Sequence, residues 1–245
     1  MKNIDLLENQ KPINDRFSLF PSEDVVLTET QAKNISFLQS LSETAFAALM
    51  EKAKIRSYGK NTLIIPKGNE GNALYIVLSG KVRVFSSNDA NNKVITLLIQ
   101  ESGSCFGEIA LLTNEPGLVA VSTLESTVCA VLSKEDFLSW LERYPEAAIN
   151  LLSTLSKRII QLTDKVRQMA LMNVYERTVN VLKDLAIEEG DHKVIHNRPS
   201  QQFLASMVGA SREMVSKIIA DLTKGGYVEM GSDTLIINKK LPAAW

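Results

Sequence analysis

Cysteine and histidine are nearly missing from this chain, which has two of each in 245 residues. Cys105 and Cys129 lie in apolar stretches. They cannot build a disulfide framework or a cysteine-rich metal or iron–sulfur cluster, and both read as small core residues. With 12 glycines and 7 prolines, collagen-like and low-complexity readings fall away. No run approaches the roughly 18 uninterrupted apolar residues of a membrane span. Asp5 and Glu8 interrupt the first dozen residues, so no secretory leader is expected and the cytoplasm is the expected compartment. Charge of one sign is lacking too: the net charge of -1 neither supports nor excludes a nucleic-acid partner. What remains, 45% hydrophobic and 22% charged, is an ordinary globular chain. At about 150 residues per domain it has room for one large or two modest domains.

Residues 1–34 are polar, carry Pro12 and Pro21, and show no sustained period, so they read as an extension. From Ile35 to about Lys54, Phe37, Leu38, Leu41, Phe46, Leu49 and Met50 recur at helical spacing, with Ser42 placed to cap the second half. Six runs rich in β-branched residues follow: Thr62 to Ile65, Ala73 to Leu78, Lys81 to Phe85, Val94 to Ile99, Val119 to Leu124 and Thr127 to Leu132. Gly59, Gly68, Gly80 and the polar stretch from Ser86 to Asn92 mark turns between them. Many short strands at this spacing predict an antiparallel sandwich or jelly roll.

At Ser133 the period changes to helical, and Tyr144-Pro145 ends one helix and starts a longer one. In the longer helix Leu152, Leu155, Ile159, Leu162, Val166 and Met169 are spaced 3, 4, 3, 4, 3. This heptad seam, with Lys157, Arg158, Asp164, Lys165 and Arg167 off it, predicts a homodimer paired along a coiled coil. The bland alternative lays a single helix on the barrel. After Asn173 a further helix carries Val174, Val179, Val181, Leu182 and Leu185 and ends in a charged loop, Glu188 to His192. The predicted class is α+β, with an extension (1–34), a jelly roll (35–144), a dimerisation helix (145–172) and a C-terminal helical domain (173–245).

The C-terminal segment reads helix, glycine turn, helix, hairpin. Pro199-Ser200 starts the first helix, which stops at Gly209. Ser211 caps the second, whose inward face is Val215, Ile218, Ile219 and Leu222. Tyr227 to Met230 and Thr234 to Ile237 form the hairpin. This is the plan of a winged helix-turn-helix, a reader of double-stranded DNA. Arg212, Glu213, Ser216 and Lys217 are left outward near the start of the second helix. Arginine bonds a guanine edge twice, glutamate accepts from a cytosine amine, and lysine reaches guanine or phosphate. Ser200, Gln201 and Gln202 open the first helix, where donors meet phosphates, and the cap Ser211 joins the expected DNA-binding set. Alone, an amphipathic helix pair with a solvated charged face explains the pattern equally well. Acidic and basic residues balance from residue 173 onward, so binding is expected to rest on placed contacts with a modest salt slope.

A second constellation is Gly107-Glu108-Ile109, following Phe106. A helix that starts at a glycine exposes N–H groups to an anion, and a carboxylate beside it can take a ribose hydroxyl. The pair is a weak signal by itself. Gly103-Ser104-Cys105-Phe106-Gly107 also fits a Gly-x-nucleophile-x-Gly elbow. That motif needs an α/β sheet and a histidine, neither of which is near, so no enzyme is expected.

Together, Pro66-x-Gly68, Tyr75-x-x-x-Ser79-Gly80-x-Val82, Phe106-Gly107-Glu108-Ile109 and Gly209-x-Ser211-Arg212-Glu213-x-Val215 resemble the Crp/Fnr family of bacterial transcription regulators, from about residue 35 to 240. The resemblance implies a cyclic-nucleotide-binding jelly roll, a long dimer helix and a winged helix-turn-helix acting on palindromic operators. It places Arg212, Glu213 and Lys217 at base-reading positions, Lys217 where relatives carry arginine. It also implies RNA polymerase as a further partner, with Glu188 to Lys193 lying where relatives touch it. The effector pocket departs from the family. Nucleotide-binding members carry an arginine about ten residues after the Gly-Glu pair, where this chain has Gly117-Leu118-Val119. Leu162 and Thr163 stand where a Thr-Ser pair meets the adenine, so half of that polar pair survives. The expected effector is therefore not cyclic AMP, or there is none. The alternative is a nucleotide response through a non-standard pocket. Residues 1–34 lack the cysteines of the family's iron–sulfur sensors. The only histidines, His192 and His196, lie too far from the barrel for a haem ligand and read as solvated loop residues. A degenerate barrel serving only as a signalling or dimerisation module is a third reading, which needs the helix pair to be decorative.

Overall fold

A computed structural model describes residues 38, 41–88, 90, 93–190 and 192–242. The extension read for residues 1–34, and most of the stretch from Ile35 to Ser40, lie outside them. Helix α1 spans Glu43–Lys52 and is capped by Ser42, whose Oγ accepts from the Ala45 N–H at 3.2 Å. It buries Ala45 and Leu49. The expected helical run stops there: Lys54 opens a strand, β1 (Lys54–Tyr58), which pairs with β8 (Thr127–Ser133). Its residues Lys-Ile-Arg-Ser-Tyr carry no apolar alternation, so only the partner strand makes it a strand.

The six expected strands are all present: β2 (Leu63–Ile65), β3 (Ala73–Ser79), β4 (Lys81–Asn88), β5 (Lys93–Glu101), β7 (Ala120–Thr123) and β8 (Thr127–Ser133). A two-residue β6 (Cys105–Phe106) joins them. They form two antiparallel four-stranded sheets, ordered β1-β8-β3-β6 and β2-β7-β4-β5. Val77, Val82, Val121, Cys129 and Phe106 pack in one core of this sandwich. A second core joins Leu74, Ile76 and Leu132 to α1 and to two later helices through Phe137, Trp140 and Leu151. Each buried aliphatic of this size contributes about 1.5–3 kcal/mol. Trp140 also donates its indole N–H to the Ala45 carbonyl at 2.8 Å, which satisfies the polar atom that burial would otherwise strand.

Helix α2 (Glu108–Thr113) lies between β6 and β7. Helix α3 (Lys134–Arg143) is capped by Ser133, and α4 (Pro145–Leu171) starts with Pro145 in its first turn. With 27 residues at 1.5 Å rise, α4 is about 40 Å long, enough to run from the sandwich to the C-terminal domain. There α5 (Val174–Leu185) opens on a capping box of Asn173 and Glu176. The expected charged loop after it is instead a hairpin, β9 (Ile187–Glu189) and β10 (His192–His196), held across its strands by Lys193–Glu188 at 3.0 Å and His196–Glu189 at 2.7 Å. His192 and His196 are thus exposed strand ends rather than loop residues. Helices α6 (Gln201–Val208) and α7 (Arg212–Lys224) follow, then β11 (Val228–Met230) and β12 (Thr234–Ile237). The wing is a four-stranded sheet, β11-β12-β10-β9, and not a lone hairpin. No helix among the described residues is long and apolar enough to cross a membrane.

Candidate effector pocket and nucleic-acid interface

The turn into α2 is a built feature. Gly107 has φ of 91°, and a Cβ there would lie 2.6 Å from the Ala73 carbonyl oxygen, so only glycine fits. Glu108, directly after it, is 2% exposed. One of its carboxylate oxygens is paired with the Arg158 guanidinium from α4, and the other has no hydrogen-bond partner among the described residues. Burial pushes the Glu108 carboxyl above the usual carboxylate range, and Arg158 opposes that push. Arg158 also donates to the Cys105 carbonyl. Gln100, with its amide nitrogen toward that same carbonyl at 3.0 Å, accepts from Arg158 at 3.2 Å.

Sequence reasoning missed Arg158 as a pocket residue. The available signal was its position directly before Ile159 of the heptad seam, which turns it away from the seam and toward the sandwich. A cavity of about 180 Å³ opens between β5 and α4, lined by Leu98, Gln100, Ser104, Thr154, Arg158 and Gln161 among others.

The other expected pocket residues spread out. Ile109 points to solvent, Leu118 is 80% exposed, and Val119 packs inward. Gly117 spends its backbone groups on the adjoining turn, donating to the Asn69 carbonyl at 2.8 Å and accepting from the Gly68 N–H at 2.7 Å. The Gly117–Val119 stretch therefore presents no cation and no free Gly117 N–H. On α4, Leu162 is half-buried and Thr163 is exposed. Cys105, at the floor of this region, is 1% exposed, and burial pushes its thiol up to about 12. That removes it as a nucleophile. Among the described residues no group of three or more His, Cys, Asp or Glu is placed to hold a metal ion.

The seam on α4 lies open where it was expected to pair. Leu152, Ile159 and Val166 are each at least 60% exposed and Met169 is 43% exposed, with Ile149, Ile160 and Leu171 beside them. Leu155 departs from this pattern and rests against the sandwich core.

At the other end, α7 buries Val215, Ile219 and Leu222 and leaves Arg212, Glu213 and Lys217 exposed. Ser211 caps it, its Oγ accepting from the Met214 N–H at 3.3 Å, and Ser200 caps α6, accepting from Phe203 N–H at 3.2 Å. Gly209 makes the turn between them with φ of 71°. The Glu213 carboxyl is held below the usual carboxylate range by backbone and Ser211 hydrogen bonds, so it is an acceptor at neutral pH. Ser216 is less free than its position suggested, because its hydroxyl donates to the Gln201 side-chain oxygen across the two helices. A groove of about 590 Å³ beside α6 is lined by Ser200, Gln201, Gln202 and Arg212, and by Arg198, which the sequence reading left out. Its backbone N–H donates to the Asp233 carbonyl at 2.9 Å, tying it to the wing.

Residues 55–144 match the model of the cyclic nucleotide-binding domain, and residues 176–241 match that of the Crp-like helix-turn-helix domain. The chain is 24% identical over 205 residues to the CRP-like cAMP-activated global transcriptional regulator of Mycobacterium tuberculosis, covering 82% of this chain and 91% of that protein. It is 29% identical over 184 residues to the cyclic AMP receptor protein of Thermus thermophilus, covering 75% and 83%. Among solved structures, the c-di-GMP responsive global regulator CLP of Xanthomonas campestris superposes with a TM-score of 0.74 at 24% identity, over 81% of this chain and 100% of that one.

Proposed function

The chain belongs to the Crp/Fnr family of transcription regulators and is a DNA-binding regulator, and on that premise we propose that it acts as a homodimer on palindromic operators without cyclic AMP as its effector. In this reading residues 35–144 form the effector domain, 145–172 the dimer helix and 173–245 the reading domain. The observation that carries it is the pairing of an open apolar seam on α4 with an exposed Arg212-Glu213-Lys217 face on α7. An apolar stripe of that length is stable in water only when covered, and a two-fold partner covers it with an identical stripe. Two-fold pairing then presents two reading helices to half-sites about one helical turn apart. Arg212, Glu213 and Lys217 read bases, while Ser200, Gln201, Gln202, Ser211 and Arg198 meet phosphates.

The effector reading rests on the turn after α2. A cyclic phosphate needs a cation there, where the chain offers Leu118, while Arg158 is committed to Glu108 and the Cys105 carbonyl. Leaving a buried phosphate unpaired forfeits a few kcal/mol. One observation favours a nucleotide response through a non-standard pocket: the unpartnered Glu108 oxygen could accept from a ligand hydroxyl. A cytoplasmic, non-enzymatic regulator is the reading that goes with this site, and the exposed β9–β10 hairpin is the surface we assign to RNA polymerase.

The test is a selection of operators from a randomised palindromic pool at fixed salt, with and without cyclic AMP, alongside sedimentation of the free protein. Equal binding to the selected sites without nucleotide supports the reading. Selective binding only with nucleotide overturns the effector assignment, and a monomer in sedimentation and on DNA overturns the dimer.

A further inference from the structure

The reading domain is bolted to the sandwich of its own chain by a small polar contact. The hydroxyls of Thr96 on β5 and Ser206 on α6 lie 2.8 Å apart, both almost fully buried. Lys165 on α4 closes the same contact, donating from Nζ to the Thr96 carbonyl at 2.6 Å and to the Met207 carbonyl at 3.2 Å. The Met207 carbonyl belongs to the last turn of α6, whose end carbonyls have no partner within the helix. The next one, Val208, accepts from Arg177 Nε at 3.0 Å. Two cations therefore sit on the negative end of α6, a favourable placement for the helix dipole. Beside them, a Cβ at Gly209 would lie 3.4 Å from Met169 and 3.6 Å from Ile95, so the turn itself is seated on α4 and β5.

We propose that Thr96, Lys165 and Ser206 form a strut that sets where the helix-turn-helix stands relative to the dimer helix, and hence the half-site spacing the dimer accepts. An apolar contact tolerates sliding. The Ser206 hydroxyl donates to the Phe203 carbonyl of its own helix at 2.7 Å, so it is Thr96 that donates to Ser206; any other placement leaves the buried Thr96 hydroxyl and the Lys165 ammonium without these partners. The strut is also continuous with the effector cavity. Its β5 residue lies just before Leu98 and Gln100, which line the cavity, and Lys165 lies one turn beyond Gln161, which lines it from α4. Both cavity walls thus run directly into the strut, which gives ligand occupancy a short physical path to the reading helices. The three residues position the reading unit and touch no DNA themselves.

This inference rests on the homodimer reading, and one experiment separates the two. The half-site selected by the wild type is placed in palindromes whose spacer changes by single base pairs, and binding is measured for the wild type, Lys165→Met and the double variant Thr96→Val with Ser206→Ala. The expected result is a wild type that prefers one spacer by about ten-fold and variants in which that preference falls to about two-fold, with the base preference within each half-site unchanged. A wild type that sediments as a monomer and binds a single half-site as tightly as the palindrome overturns the dimer reading, whereas a dimeric wild type with no spacer preference overturns the strut. If Lys165→Met fails to fold, the double variant, which removes hydroxyls only, decides. A folded, dimeric double variant that keeps the wild-type spacer preference overturns the strut.

Discussion

The two polar sites of this protein treat their charges in opposite ways. At the effector end Glu108 is buried and paired with the partly buried Arg158. At the DNA end Arg212, Glu213 and Lys217 stand exposed on a helix whose other face is fully packed. A buried carboxylate held by one guanidinium fixes structure and has a single oxygen left for a newcomer. Exposed charges on a rigid helix cost nothing to keep and are available to a polyanion. On the reading proposed above, the same chain pairs a pocket without a phosphate socket with a face that carries its reading groups.

The largest expected effect comes from breaking the buried pair. Arg158→Met leaves the Glu108 carboxylate unpartnered and is expected to cost about 3–5 kcal/mol at pH 7 in urea unfolding. The sign of its pH dependence follows from the raised Glu108 pKa. A carboxyl whose folded pKa lies above its unfolded value favours folding below the unfolded pKa, and that benefit is lost as pH rises through the folded one. The variant should accordingly recover stability on going from pH 7 to pH 5. A variant as stable as wild type at pH 7 would show that the pair does not hold α4 to the sandwich.

Next in size is Arg212→Ala, expected to lose about 1–3 kcal/mol of discrimination at a guanine in the half-site while leaving the thermal midpoint unchanged. Equal weakening on every sequence, read by competition binding, would move Arg212 from base reading to phosphate contact. Leu118→Arg sharpens the comparison from the other side. It restores a cation where the socket lacks one, and because Leu118 is exposed the stability change should stay within about 0.5 kcal/mol. Calorimetry should then detect cyclic AMP binding absent from the wild type; if none appears, Leu118 is not what closes the pocket to nucleotide. The smallest effect is at the cysteines, whose thiols burial pushes up to about 12. Neither should be alkylated by iodoacetamide at pH 8 in the folded protein. Because the folded pKa lies above the unfolded one, their contribution is present at neutral pH and is lost as pH climbs toward 12.

Much of this was legible because local rules and tertiary demands agree. Ser42, Ser133, Ser200 and Ser211 each cap the helix that follows, a signal carried by the residue and its immediate neighbours. Strands with an apolar face announced themselves, as did the heptad seam. The failures share one cause. β1 is a strand because β8 pairs with it, and β10 is a strand because β12 pairs with it and its adjacent Val194 and Ile195 are buried, so neither announces itself by alternation.

By itself the sequence determined six strands of the sandwich, the caps that start helices at Ser42, Ser133, Ser200 and Ser211, and the outward placement of Arg212, Glu213 and Lys217, because those depend on periodicity and caps within a few residues. Only the tertiary structure decided that Arg158 spends its charge on Glu108, 50 residues away, and that Lys165 joins β5 to α6. Those outcomes turn on which distant groups burial forces to satisfy one another, and no local pattern encodes a partner.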